Sequence, residues 1–264
     1  MNQEGISSQI LKHYHLVDKG REDASLSIQL SRLKSKTTLQ DFLHKLMPFI
    51  HTNNPVVAAT HFMSWFGSVC AAFQAGISLT DAALDVRLAN LSFQLYFEGN
   101  QRKTSFVLHV QDPFSTLKSD ENRSAWRTSI LNEFYSQEVK PLILSLVTVS
   151  GATANQLWAQ FTTRLHNEKD ILLEQNSAAR KDTILADFDA LLNELDLESL
   201  GLVRNPFNVS FRFIPHLTEE EQQIRQRATC CLAYETDTGK GFCYSCPKMS
   251  EQEREARREA VRAG

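Results

Sequence analysis

Four of the five cysteines in this chain crowd into one short stretch near its C-terminus, while Cys70 stands alone. The stretch reads Cys230-Cys231, eleven other residues, Cys243, two more, then Cys246, or C-C-x11-C-x2-C. A secreted disulfide framework would spread its cysteines along the chain, so this clustering points to a metal rather than to disulfides. Four thiolates are the number that an iron–sulfur cluster or a structural zinc requires.

The two halves of the motif differ in what they ask of the backbone. In C-x2-C, one tight turn aims two sulfurs at one metal centre. In C-C, neighbouring side chains diverge from an extended backbone. Two adjacent sulfurs reach one small zinc tetrahedron only with local distortion, whereas a two-iron cluster offers a wider target. The spacing therefore favours [2Fe–2S] over zinc, with zinc in the same four cysteines as the rival. Gly239 and Gly241 permit positive φ and close backbone approach in the intervening loop. Tyr234, Phe242 and Tyr244 are candidates to shield a cluster. Cys70 lies in an apolar helical run and reads as a core thiol.

The remaining composition is that of an ordinary globular chain, with 42% hydrophobic and 22% charged residues among 264. With 28 basic and 31 acidic residues the formal net charge is −3, unlike the basic footprint of a dedicated nucleic-acid binder. The N-terminus lacks the pattern of a secretory signal. The apolar stretches Pro55–Ala59 and Leu142–Val149 are too short to span a bilayer, so the expectation is a soluble cytoplasmic protein with no integral membrane segment.

Periodicity predicts a mainly α chain with a β-hairpin or small sheet, an α+β fold. Leu39, Phe42, Leu43 and Leu46 follow Thr38 at helical spacing, with Asp41 where a capping-box acid would sit. Asn54-Pro55 opens a second helix towards Gly76. Leu91–Phe97 and Ser105–Val110 alternate around a turn-rich link and predict a hairpin ended by Asp112-Pro113. Helices are expected from about Ser124, with Gly151 as the stop and Pro141 as a kink or a new start, and then over Asn155–His166 and Lys181–Glu194. Val209–Phe213 reads as a short strand. Thr218 followed by Glu219, Glu220 and Glu221 reads as the capped start of a helix to about Arg227. A charged helix over Ser250–Ala263 has its acids early and its arginines late. The organisation expected is a helical body over residues 1–205 and a small cysteine-rich iron–sulfur segment over 206–264.

The residues Cys230-Cys231, Tyr234 and Tyr244-x-Cys246-Pro247, at the end of a mainly helical chain, resemble the FhuF-like ferric-siderophore reductases. Order and residue types match that family's C-terminal [2Fe–2S] motif, with a spacer about one residue longer. The resemblance implies a cytoplasmic oxidoreductase that reduces iron(III) in an imported siderophore complex, often of hydroxamate type. It also implies that each of the four cysteines is a cluster ligand. Siderophores hold iron(III) through hard oxygen donors that bind iron(II) more weakly, so one added electron loosens the complex. The chain shows neither a strand-linked G-x-G-x-x-G nor a P-loop, so electrons must come from an external donor.

A groove between the helical body and the cluster segment is the expected place for the siderophore. Arg212, Arg225 and Lys240 are the substrate-binding candidates, with Arg227 and Lys248 also near the cysteines; each is more readily read as solvated surface charge. His61, His166 and His216 read as ordinary packed or loop histidines, and Trp65, Trp126 and Trp158 as core. Two other functions fit the motif: a zinc-stabilised, non-catalytic binding module and an iron–sulfur redox sensor. The charge balance and the C-C pair disfavour the former, and the lack of a helix-turn-helix disfavours the latter weakly.

Overall fold

The computed structural model describes residues 9–117, 122–219 and 221–263. The start of the N-terminal stretch read for a signal sequence, residues 1–8, lies outside them, as does Glu220.

In chain order the elements are β1 (Leu16–Val17), β2 (Leu26–Gln29), α1 (Lys36–Leu46), α2 (Pro55–Thr80), β3 (Ala82–Leu84), β4 (Leu91–Glu98), β5 (Gln101–Leu108) and β6 (Phe114–Thr116). There follow α3 (Arg123–Glu133), α4 (Lys140–Ser150), α5 (Ala154–Gln175), α6 (Ala178–Asn193), the single turn α7 (Leu197–Leu200), β7 (Phe213–Pro215), β8 (Gln223–Arg225) and α8 (Glu251–Ala263). The fold is α+β, as expected.

Helix α2 is the axis of the core. Asn54 caps it by accepting the Val56 N–H at 2.9 Å, and Pro55 opens it. It runs past Gly76 to Thr80 and stops at Asp81, whose backbone is left-handed. It is long and apolar enough to cross a membrane, more so than its interrupted sequence suggests, but most of it is buried inside the fold. Gly67 sets its distance from α5: a Cβ there would meet the Phe161 Cβ at 3.3 Å.

The sheet order is β1-β5-β4-β2, with β1 parallel to β5 and the other pairs antiparallel. Strands β4 and β5 form the expected hairpin, closed by Glu98 opposite Gln101 and by Gly99 at positive φ. Their apolar face gives Phe93 and Phe106 to an aromatic cluster with Phe42, Phe62, Trp65 and Phe66 of α1 and α2. Each such ring buried contributes about 1.5–3 kcal/mol.

Helix α1 starts earlier than Thr38, with Ser35 as its cap. A π-helical stretch, Phe134–Val139, joins α3 to α4 without a break. Pro141 has no N–H for the carbonyl four residues back, and the wider π turn absorbs that mismatch. Gly151 stops α4 as expected, at φ +79°. Asp187 of α6, fully buried, ties α6 to α3 through Arg123 at 2.6 and 2.9 Å and Arg127 at 3.4 Å.

The helix expected from Thr218 to Arg227 is not formed. Gln223–Arg225 is instead a strand paired antiparallel with Phe213–Pro215, and residues 209–212 are irregular. The run of acids after Thr218 imitates a helix start, but His216 Nδ1 accepts the N–H groups of Thr218 and Glu219, turning the chain into a hairpin. Upstream of it, Phe207 is buried among Tyr135, Trp158 and Phe161. The chain leading to the cysteines is thereby anchored in the body.

Candidate metal centre

The cysteine stretch is closed into a loop by its own backbone. Arg227 N–H donates to the Ser245 carbonyl at 2.9 Å, which sets the strand before Cys230-Cys231 against the turn between Cys243 and Cys246. That turn is fixed by Cys246 N–H donating to the Cys243 carbonyl at 2.9 Å. Cys230 and Cys246 meet with their sulfurs 3.3 Å apart, and the Leu232 N–H donates to the Cys230 sulfur at 3.3 Å. Leu232 achieves this with a left-handed backbone, φ +61°, which a branched side chain adopts only under strain.

Burial divides the four thiols. Cys230 and Cys246 are 8% and 1% exposed, whereas Cys231 and Cys243 are half-buried. Burial, then the nearby Cys246 and Cys231 thiols, push the Cys230 thiol up, with the Leu232 N–H opposing. Burial, then Cys231, push Cys243 up, with the Arg227 charge opposing. The four thiols are thus within electrostatic reach of one another, and burial favours the protonated form of Cys230 and Cys243 in the metal-free chain. Metal binding must expel those protons.

Among the described residues no three metal-ligating side chains converge tightly enough to enclose a single ion. The arrangement is one close pair, Cys230 and Cys246, with Cys231 and Cys243 within electrostatic reach of it. A backbone N–H aimed at a sulfur is what tunes an iron–sulfur centre. The donor set therefore fits a [2Fe–2S] cluster. Gly239 and Gly241 both have positive φ, but an added Cβ would touch nothing at either, so they serve the turn and not a close approach. Tyr234 and Phe242 pack ring to ring at 4.6 Å, and the Tyr244 hydroxyl donates to the Pro215 carbonyl at 2.7 Å.

Arginines of α8, read from the sequence only as complements to the helix dipole, hold this loop. Helix α8 opens with a capping box: Ser250 Oγ accepts the Glu253 N–H at 3.2 Å, and Glu253 accepts the Ser250 N–H at 2.8 Å. Arg254, fully buried, donates to the carbonyls of Tyr244, Cys246 and Met249 and pairs with Glu251 at 3.1 Å. Arg257 donates to the Phe242 carbonyl at 3.0 Å, and Arg258 to the Tyr244 hydroxyl at 3.2 Å. The signal lay in the sequence as arginines at i, i+3 and i+4 on one helix face.

A groove of about 770 Å³ runs beside the cysteine loop, between α5 and the β7–β8 hairpin. Arg225 and Arg227 line it with Ser64, Gln160 and Arg164. Arg225 is held there by Asp170 at 2.9 Å and Asn167 at 2.6 Å. Arg212 and Lys240 do not line it: Arg212 pairs with Glu251 at 3.2 Å on the surface, and Lys240 is exposed. Lys248 donates to the Tyr234 hydroxyl at 2.6 Å. His166 bonds the Phe207 carbonyl at 2.8 Å. Cys70 is buried and unpaired in the core.

A mainly helical body carries a four-cysteine loop near its C-terminus. The model of the FhuF 2Fe-2S C-terminal domain matches residues 227–248, a span that contains all four cysteines and begins at Arg227. This C-terminal segment is thus an FhuF-type 2Fe-2S domain, and a [2Fe–2S] cluster is the cofactor of the chain. No curated protein matches the sequence.

Proposed function

We propose that the chain is a ferric-siderophore reductase of the cytoplasm, with Cys230, Cys231, Cys243 and Cys246 as the cluster ligands. In this reading residues 206–264 carry the cluster and residues 1–205 supply most of the siderophore-binding body. The observation that carries the reading is the FhuF-type domain at residues 227–248 beside a groove of about 770 Å³, a volume suited to a bound small molecule. When bound, the cluster supplies one electron, which reduces siderophore-bound iron(III) to iron(II) and is replaced by an external donor.

The chain's own residues have three tasks. Arg254 and Arg257 hold the carbonyls of the cysteine loop, so the thiols keep their places. Arg227 links site and groove: its backbone is bonded to Ser245 between two of the cysteines, its guanidinium reaches Ser64 Oγ at 3.5 Å, and it lines the groove. Tyr234 and Phe242 pack ring to ring within the loop.

The test is anaerobic mixing of the chemically reduced holoprotein with a panel of ferric siderophores. Cluster absorbance should return to its oxidised form while a ferrous-specific dye captures an equal amount of iron(II). Holoprotein that no ferric siderophore reoxidises would refute the reading. So would a colourless anaerobic preparation holding stoichiometric zinc.

A further inference from the structure

The groove contains charge that the fold does not use. Arg164 of α5 lines it, and among the described residues no hydrogen bond or ion pair reaches its guanidinium. Glu168, one turn further on, acts on it only at longer range, because that carboxylate is buried and accepts the Tyr14 hydroxyl. Burial depresses the ionisation of Arg164, with the Glu168 carboxylate opposing from a distance. Among the described residues Arg227 likewise forms no ion pair with a carboxylate: its side chain donates to Ser64 Oγ, and its charge acts on the Cys243 thiol. By contrast, Arg225 is paired with Asp170. Two guanidinium groups therefore face one groove without an ion pair among the described residues, in a wall that also carries Glu168 and Asp170, an arrangement that an anion would complete.

Gln160 makes a second, independent demand. It is 4% exposed and lines the same groove, one helical turn before Arg164. Its Nε2 donates to the carbonyls of Gln156 and Cys230, both at 3.2 Å, which fixes the orientation of the amide. Its Oε1 is buried with no donor. A buried carbonyl oxygen left unsatisfied by the fold takes its hydrogen bond from outside it, from a water or from a ligand hydroxyl or N–H. The Cys230 bond also ties this amide to the cysteine loop.

We propose that the groove takes a ferric chelate that carries free carboxylates and a hydroxyl or amide N–H, with Arg164 and Arg227 binding the carboxylates and Gln160 Oε1 accepting the hydrogen bond. This rests on the reductase reading and narrows its substrate to anionic, carboxylate-bearing chelates over neutral hydroxamate ones. Guanidinium groups present paired donors that match a carboxylate, which gives the preference a geometric basis beyond net charge.

Redox-inert gallium(III) complexes separate binding from electron transfer. The holoprotein is titrated calorimetrically with anionic gallium(III) bis(citrate) and with neutral gallium(III) tris(acetohydroxamate). The citrate complex should bind at least tenfold more tightly. Arg164→Gln should weaken it by ~10–100-fold, the value of one hydrogen bond to a charged group. Arg164→Lys should recover part of that loss, and Arg227→Gln provides the same readout from the other side of the groove. The unliganded Arg164→Gln protein should melt close to the wild type, because only the longer-range attraction to Glu168 is lost; a residue with a structural role would behave otherwise. Equal or tighter binding of the neutral complex would overturn the carboxylate preference and leave the reductase reading standing. Binding of neither complex, together with reduction of ferric siderophores, would remove the groove as the site while the activity stood. Absence of both would refute the two readings together.

Discussion

Replacing Arg254 with leucine should release the cysteine loop without removing any thiol. The buried guanidinium donates to the carbonyls of Tyr244, Cys246 and Met249, and it lies over the Tyr244 ring at 5.6 Å. Hydrogen bonds from a charged donor contribute about 1.5–3 kcal/mol each. Three of them give a gross loss well above the net, since freeing the side chain returns up to about 2 kcal/mol of rotamer entropy and the exposed carbonyls regain water. A net local destabilisation of about 3 kcal/mol is consistent with the loss of one member of a buried charged network. That corresponds to roughly 100-fold more of the opened loop. The assay is the decay of visible cluster absorbance in excess iron chelator, which follows loop opening. Arg254→Leu should lose its cluster ~100-fold faster than wild type. Arg254→Lys should fall between them, because one ammonium cannot serve three carbonyls. A decay rate for Arg254→Leu within threefold of wild type would refute the role of this arginine as the clamp.

Other consequences follow from named groups. Burial, then the charges of Arg102 and Arg227, lowers His61 from an ordinary 6.5 to about 4. Above the ordinary value both folded and unfolded chains hold it neutral. As pH falls towards 4 the unfolded chain takes up the proton first, so stability declines by roughly 3 kcal/mol across that window. Urea midpoints should fall less steeply with acid in His61→Leu, and equal slopes would count against the assignment. Asp187→Asn strips the carboxylate from Arg123 and the buried Arg127 and should cost about 3–5 kcal/mol in chemical denaturation; a loss under about 1 kcal/mol would show that the pair is dispensable. In metal-free protein, iodoacetamide followed by peptide mass spectrometry should leave Cys70 unlabelled, because burial pushes its thiol up. Labelling of Cys230 and Cys243 should be slow at neutral pH and rise with alkalinity, because both thiols are raised. Rapid modification of Cys70 would contradict the packing around α2.

The sequence was most legible where local chemistry and tertiary context agree. Asn54-Pro55 starts α2, Gly151 ends α4, and alternation around Gly99 makes the β4–β5 hairpin, because each signal acts within a few residues. It misled at Thr218, where first-turn acids were outweighed by the pairing of Gln223–Arg225 with Phe213–Pro215. Helix α5 was read only to His166 but continues to Gln175, and nothing local marks that end as strongly as a glycine marks the end of α4. The cysteine motif was visible in the sequence as four clustered thiols, all within the matched residues 227–248. The parts that build the site around it were not, because they are long-range. The Arg227–Ser245 bond, the Gln160–Cys230 bond and the reach of Arg254 into the loop each join residues that no periodicity connects.

Gly67 carries a consequence for how this chain can change over time. Its missing methyl lets α2 approach the Phe161 Cβ, and the same vacancy lies 3.6 Å from the Arg164 side-chain stem. Mutation to alanine would press on the helix spacing at Phe161 but would meet the arginine stem only in ordinary van der Waals contact. Core packing and groove lining therefore meet at this position without being locked together: a change at Gly67 acts first on the approach of α2 to α5, and a change at Arg164 acts first on the groove.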